Sequence, residues 1–319
     1  MQFEELINLW MTEKQYYIIK HRTYLRYNEI IKTHISPALG SVEIGNLTVS
    51  LIQDFQKREF TNGNKKTMQP LANNTVKNIM SIVRNSMLYG IREKGLKMIN
   101  PNDLHPPTFE QKPVQVFDRA EQKRIEQAVL SGKPNHFGIV LCLYTGLRLG
   151  ELLALTWKDI DFKNSVLSVD KTSCFIKDDD GEYKCLVSKP KTQSSVRMIP
   201  LPKSILAELK AIRKKSISEY VISTHSGEHV SNRSYQTTYA RILKKAKVRY
   251  RNFHVLRHTF ATRALECGTD IKTVSEILGH KSPVITMNRY VHSMFDTKRK
   301  MAETLAKQLD FGDKKKSTV

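Results

Sequence analysis

The sequence predicts a mainly α-helical fold with a small antiparallel β-sheet, split between a helical N-terminal domain and a mixed α/β C-terminal domain. Three observations predict it. Apolar residues recur at spacings of three and four through most of the chain, as they do in helices with one buried face. Apolar–polar alternation, the strand signature, is concentrated between residues 165 and 199. A proline-containing stretch, Asn100-Pro101-Asn102-Asp103-Leu104-His105-Pro106-Pro107 continuing to Lys112-Pro113, rules out a regular helix where the two patterns part. With 319 residues and 40% hydrophobic content, the chain is long enough to bury two cores. The boundaries expected are residues 1–105, a linker at 106–115, and residues 116–319.

In the first domain the spacing predicts helices over Phe3–Tyr17, Arg22–His34, Val49–Arg58 and Asn74–Lys94, with Pro37-Ala38-Leu39-Gly40 as a break after the second. The second domain opens on Asp118, which caps a helix whose Glu121 completes a capping box. Helices are expected over Gln122–Val129, His136–Tyr144 and Gly150–Thr156. Strand-like segments follow at Ser165–Val169, Phe175–Ile176, Tyr183–Val187 and Val196–Ile199, with a polar tip at Asp178-Asp179-Asp180-Gly181. Helices resume at Ile205–Lys214, Ser234–Lys245, His254–Cys267, Ile271–Leu278, Pro283–Tyr290 and Thr297–Leu309, and a polar tail closes the chain.

Lys and Arg number 52 against 31 acidic residues, a formal net charge of +21. Such an excess favours a polyanionic partner, nucleic acid before anionic membrane. It is uneven: residues 1–115 hold 15 basic and 10 acidic side chains, and the remainder holds 37 and 21. No apolar run approaches a membrane span, and Met1–Trp10 lacks the form of a signal peptide, so a cytoplasmic protein without membrane association is expected. Cys142, Cys174, Cys185 and Cys267 form no Cys-x-x-Cys pair and suggest neither zinc nor a disulfide framework. Cys142 and Cys267 read as core residues of helices, and Cys174 and Cys185 as facing neighbours across a hairpin.

Four stretches of the second domain carry unusual polar residues. The first is Tyr144-Thr145-Gly146-Leu147-Arg148-Leu149-Gly150-Glu151, where Glu151 is spaced to brace a neighbouring cation. Next come the basic turn Ser188-Lys189-Pro190-Lys191-Thr192 leading to Val196-Arg197, and His254-Val255-Leu256-Arg257-His258 entering a helix. The fourth is Gly279-His280 with Tyr290 ten positions on. Each alone has a plainer explanation: a surface arginine, a solvated loop, a packing tyrosine among 12. No Gly-x-x-x-x-Gly-Lys phosphate loop and no carboxylate cluster for paired magnesium ions accompanies them, so no cofactor is expected. His254 and His258 have helical metal-ligand spacing but lack the intervening glutamate of a zinc protease, and His258 reads as a packing or supporting residue.

In their order these stretches resemble the signature of the tyrosine recombinases, a family that includes phage and conjugative-element integrases and Xer-type resolvases. The match runs through Arg148, Lys191, His254, Arg257, His280 and Tyr290, with Glu151 as a supporting residue. The resemblance implies a helical core-site DNA-binding domain, a catalytic domain ending in a C-terminal helix, and a 3′-phosphotyrosine intermediate on Tyr290. It further implies double-stranded DNA as partner, a homotetramer on two synapsed sites, and accessory directionality or DNA-bending proteins. The chain enters the first helix almost at once, which fits a Xer-like protein, an integrase without an arm-binding domain, or a shortened chain. The hairpin through Cys174–Cys185 favours a mobile-element integrase.

The chemistry is coherent independently of the resemblance. Two guanidiniums suit the nonbridging oxygens of a phosphodiester under attack. Imidazoles suit proton transfer and hydrogen bonding near neutral pH, and a lysine on the turn suits protonation of the leaving 5′-oxygen. Two alternatives share parts of this reading. A catalytically silent DNA-binding regulator would be released from keeping all six residues, and none is missing. A type IB topoisomerase would relax DNA without pairing two sites.

Overall fold

The computed structural model describes residues 1–19, 21–105, 113–177, 183–188, 195–290 and 295–309. The tip at Asp178–Gly181, the basic turn with Lys191, part of the linker and the polar tail lie outside them. The chain divides into two compact units, Met1–Lys112 and Pro113–Val319.

The first unit is helical: α1 (Phe3–Trp10), α2 (Tyr16–Ile18), α3 (His21–Ile30), α4 (Val49–Asn62) and α5 (Asn73–Lys94). In α1 the buried Phe3, Leu6, Ile7 and Trp10 follow the three-and-four spacing that marks its inner face. Between α1 and α2 the chain winds in wide, π-type turns over Met11–Gln15, so the long first helix expected from the sequence is subdivided. The expected break at Pro37 is absent. Wide turns over Ile31–Gly40 extend α3 with Pro37 inside, because widening relieves the clash between the proline ring and the preceding turn. Thr48 caps α4 by accepting from the Leu51 N–H. This unit also buries a carboxylate, Glu59, between His34 at 2.6 Å and Lys65 at 3.1 Å.

The second unit begins at the expected capping box, with Asp118 accepting from the Glu121 N–H at 2.7 Å and Glu121 accepting in return at 3.0 Å. Its helices are α6 (Arg119–Leu130), α7 (Phe137–Thr145), α8 (Leu149–Ala154), α9 (Lys203–Lys215), α10 (Asn232–Lys245), α11 (His254–Glu266), α12 (Ile271–Leu278), α13 (Pro283–Tyr290) and α14 (Phe295–Gln308). The strands are β1 (Ile160–Asp161), β2 (Val166–Val169), β3 (Thr172–Lys177), β4 (Tyr183–Ser188) and β5 (Arg197–Pro200). They form two antiparallel sheets rather than one: β1-β2-β5 and a separate β3-β4 hairpin. Chain order hides this division, because β5 pairs back to β2 across the hairpin, Leu167 opposite Ile199.

Cys174 lies opposite Leu186 and Cys185 opposite Phe175. The two thiols are therefore offset by one residue, on opposite faces of the hairpin, and do not form the facing pair expected from the sequence. Cys142 is buried in α7 as expected, whereas Cys267 is exposed where α11 ends. Helix α7 is buried on almost every side and carries the centre of the second core. Met301, Leu305 and Leu309, at four-residue spacing at the C-terminal end, are all exposed. Among the described residues no helix is long and apolar enough to cross a membrane.

Candidate functional site

Helix α7 ends at Gly146, whose φ of +66° is a left-handed conformation that glycine adopts without strain. A Cβ there would sit 2.7 Å from side-chain atoms of both Leu278 and Phe260. The tight turn delivers Arg148 to the N-terminal end of α8. Its backbone N–H donates to Glu151 at 2.9 Å, and its Nη1 donates to the same carboxylate at 2.6 Å. The carboxylate also receives Arg197 of β5, Nη2 at 2.8 Å and Nη1 at 3.2 Å. Burial raises the Glu151 carboxyl, but the hydrogen bonds and charge of Arg197, joined by Arg148, outweigh it and hold the group below its ordinary value.

The last turn of α12 organises the arginines. Its final carbonyls have no partner within the helix, and three successive ones each accept from a different guanidinium. Ile277 accepts from Arg197 Nε at 2.6 Å, Leu278 from Arg257 Nη2 at 2.6 Å, and Gly279 from Arg148 Nη2 at 3.1 Å. The negative end of the helix dipole faces the same cations. Gly279 then leaves the helix in a left-handed conformation, φ +64°, and His280 follows. This explains the Gly-His pair physically: the glycine allows the turn that exposes the carbonyls to the arginines. His280 Nδ1 lies 2.7 Å from Thr286 Oγ1 of α13, which fixes the ring.

Arg257 is only 1% exposed, and its Nη1 also donates to the Gly146 carbonyl at 2.8 Å. Burial, with the charges of Arg148 and Arg197, lowers its pKa to about 9 against the opposing charges of Glu151 and Tyr290. It remains a cation at neutral pH. Tyr290, at the end of α13, is also 1% exposed and packs with Ala261, Leu265, Val274 and Leu278. Its hydroxyl lies 2.5 Å from His258 Nδ1. His254, by contrast, is exposed at the start of α11, and its ring meets that of His258 edge-on with centroids 4.7 Å apart.

Arg148, Glu151, Arg257 and the last turn of α12 are thus assembled by direct bonds, with Tyr290 electrostatically coupled to Arg257. His280 stands next to that turn, and the ring of His254 meets that of His258, which in turn meets Tyr290. Lys191 lies outside the described residues. Sequence reasoning overlooked two members. Arg197 was read as the end of a basic turn, although its inward place in the β5 alternation, two residues before the buried Ile199, marked it as a buried charge requiring a partner. His258 reads from the sequence as a packing or supporting residue, and no sequence signal shows that the group it supports is Tyr290. Three guanidiniums gathered at one helix end, only two of them bonded to the single carboxylate Glu151, leave an excess of positive charge in a largely covered site, the electrostatic form of a receptor for an anion. Among the described residues no cluster of three or more His, Cys, Asp or Glu is placed to hold a metal.

The profile described as phage integrase family matches residues 115–297, and that described as phage integrase, N-terminal SAM-like domain matches residues 2–60. A tyrosine recombinase XerC-like protein of Caldanaerobacter subterraneus subsp. tengcongensis is 32% identical, over 94% of this chain and 82% of that protein. The ICEBs1 integrase of Bacillus subtilis is 27% identical, over 90% of this chain and 78% of that protein. Among solved structures, the Tn1549 transposon integrase in complex with transposon right end DNA covers 96% of this chain and 100% of its own, at 24% identity and a TM-score of 0.81. A lambda integrase tetramer bound to a Holliday junction covers 89% of this chain and 78% of its own, at 19% identity and a TM-score of 0.66.

Proposed function

Because the chain belongs to the phage integrase family, the tyrosine site-specific recombinases, we propose that it cuts and rejoins duplex DNA through a 3′-phosphotyrosine link to Tyr290 and so integrates and excises a mobile element. The observation that carries this reading is the convergence of Arg148, Arg197 and Arg257 on one turn of α12, with Glu151 as the carboxylate shared by Arg148 and Arg197. The excess positive charge suits a phosphodiester. Arg148 and Arg257 hold its nonbridging oxygens, each guanidinium already oriented by a backbone carbonyl, so little reorganisation accompanies the transition state. Arg197 lies behind them and holds Glu151. His280, its ring fixed by Thr286, donates to the phosphate, and His254, exposed at the head of α11, is the second imidazole available to it.

Attack by Tyr290 Oη forms the P–O bond to the protein and releases a 5′-hydroxyl, with Lys191 as the acid that protonates it. The link conserves the phosphoester, so rejoining needs neither nucleotide nor metal. Residues 1–105 serve as the core-site binding domain, 106–115 as linker and 116–319 as catalytic domain. The enzyme works as a tetramer on two synapsed sites in the cytoplasm, assisted by DNA-bending or directionality proteins. The exposed Met301, Leu305 and Leu309 give the C-terminal helix an apolar face for a neighbouring subunit.

The test is recombination between two cognate sites on one plasmid, in EDTA and without nucleotide. Excision of the intervening circle is expected, and Arg257→Lys should abolish it, because a lysine cannot bridge two carbonyls and a phosphate together. Relaxation of supercoils without pairing of the two sites would replace this reading with a topoisomerase, and binding without cleavage would replace it with a regulator.

A further inference from the structure

We propose that His258 is a further catalytic residue: its Nδ1 accepts the phenolic proton of Tyr290 during strand cleavage and returns it on rejoining. The proposal rests on the reading of Tyr290 as the nucleophile and adds the destination of its proton. It stands first on contact. Tyr290 Oη and His258 Nδ1 are 2.5 Å apart, within the reach a general base needs of the proton it removes. The rings of His258 and Tyr290 meet at an angle of 62° with centroids 5.7 Å apart, and the His254 ring meets that of His258 edge-on, centroids 4.7 Å apart. His258 thus contacts both rings, with its Nδ1 at the Tyr290 hydroxyl.

The surroundings suit the task. His254 from its own helix meets His258, and Arg257 on the same turn is electrostatically coupled to Tyr290 and in turn to Arg148 and Glu151 at α8 and Arg197 of β5. The Arg257 charge, electrostatically coupled to Tyr290, stabilises the negative charge that builds on Oη as its proton departs. In cleavage the Oη–H bond breaks and the proton moves to Nδ1 while Oη bonds to phosphorus. The bond from phosphorus to the 5′-oxygen breaks, its electron pair stays on that oxygen, and Lys191 supplies a proton there. In rejoining, the 5′-hydroxyl attacks, Oη departs with its electron pair, and His258 returns the proton.

Single-turnover cleavage of a nicked core-site duplex, measured across pH 5.5–9.5, tests it. For the wild type the rate should rise with pH as His258 becomes neutral and then level off. His258→Asn keeps a hydrogen-bonding atom near the place of Nδ1 but does not titrate. It should cleave on the order of 100-fold more slowly at pH 7, lose that inflection and keep rising with pH. His254→Gln should retain the inflection. A fluorinated tyrosine at position 290, with its more acidic phenol, should rescue His258→Asn far more than it alters the wild type. Should His258→Asn fail to fold, the fluorotyrosine protein with His258 intact decides: an inflection that stays put belongs to His258, and one that moves down with the phenol pKa overturns the proposal. A His258→Asn that keeps the wild-type profile, or one that cleaves faster because the contact is only a resting latch, would also overturn it. Mapping the wild-type adduct keeps the two readings apart. An adduct on Tyr290 with an unaltered His258→Asn profile sinks this inference alone, whereas an adduct elsewhere sinks both.

Discussion

Replacing Glu151 with glutamine removes one negative charge from among three guanidiniums while nearly preserving shape. The carboxylate accepts four hydrogen bonds, two from Arg148 at 2.6 and 2.9 Å and two from Arg197 at 2.8 and 3.2 Å. A carboxamide offers one accepting oxygen and turns its NH2 toward donors. With both the Glu151 and Arg197 side chains 5% exposed, water cannot compensate the loss. Breaking a buried pair from one side costs about 3–5 kcal/mol. In a unit of this size each kcal/mol lowers the melting temperature by about 2–4 °C, so the catalytic unit should melt on the order of 10 °C lower. Calorimetry of the full chain at pH 7 reads the shift. The double variant Glu151→Leu, Arg197→Met should recover much of it, because both charges leave together. A Glu151→Gln protein melting within about 2 °C of wild type, or losses that simply add in the double variant, would refute the argument that this pair anchors the site.

Gly146→Ala should cost about 2–4 kcal/mol, combining left-handed strain with an added methyl forced against Leu278 and Phe260; thermal denaturation checks it, and a loss below about 1 kcal/mol would contradict the packing seen at that turn. Because the Glu151 carboxyl sits below its ordinary value of 4.5, its contribution to stability is present above that value and is lost as pH falls through the lower folded one. Melting temperature should therefore decline below about pH 4.5, and Glu151→Gln should flatten that part of the curve; an identical acid limb in the variant would assign the decline to other groups. Lys191→Ala should fail on ordinary DNA and recover on a 5′-bridging phosphorothiolate, whose leaving group needs no proton. Normal cleavage of ordinary DNA by Lys191→Ala would remove Lys191 from the mechanism, and equal loss and rescue for Lys189→Ala would shift the role to the turn as a whole.

The fold class was legible because helical periodicity and short alternating segments are local properties. Strand partnership was not: β2 pairs with β5 across an intervening hairpin, a long-range choice that alternation alone cannot express. The Pro37 break was misplaced because wide turns accommodate a proline that an α-helix would not. At the site, the ordered signature points to Arg148, Lys191, His254, Arg257, His280 and Tyr290, and the three-residue spacing of Glu151 from Arg148 is matched by a direct bond between them. The partner shared with Arg148 was hidden, since Arg197 is 46 residues from Glu151 and reaches it only through the β2–β5 pairing. His258 was hidden differently: it sits one residue beyond Arg257, and its contact with Tyr290 spans 32 residues and three helices.

The account depends most directly on one bond, that between Tyr290 Oη and a DNA 3′-phosphate. Wild-type protein incubated in EDTA with a nicked core-site duplex should accumulate a covalent protein–DNA adduct at the 3′ side of the break, and peptide mapping should place it on Tyr290. Tyr290→Phe removes one oxygen and keeps the buried ring among Ala261, Leu265, Val274 and Leu278, so it should bind the same duplex and form no adduct. An adduct that persists in Tyr290→Phe, maps to another hydroxyl, or forms only when magnesium is added would contradict the mechanism.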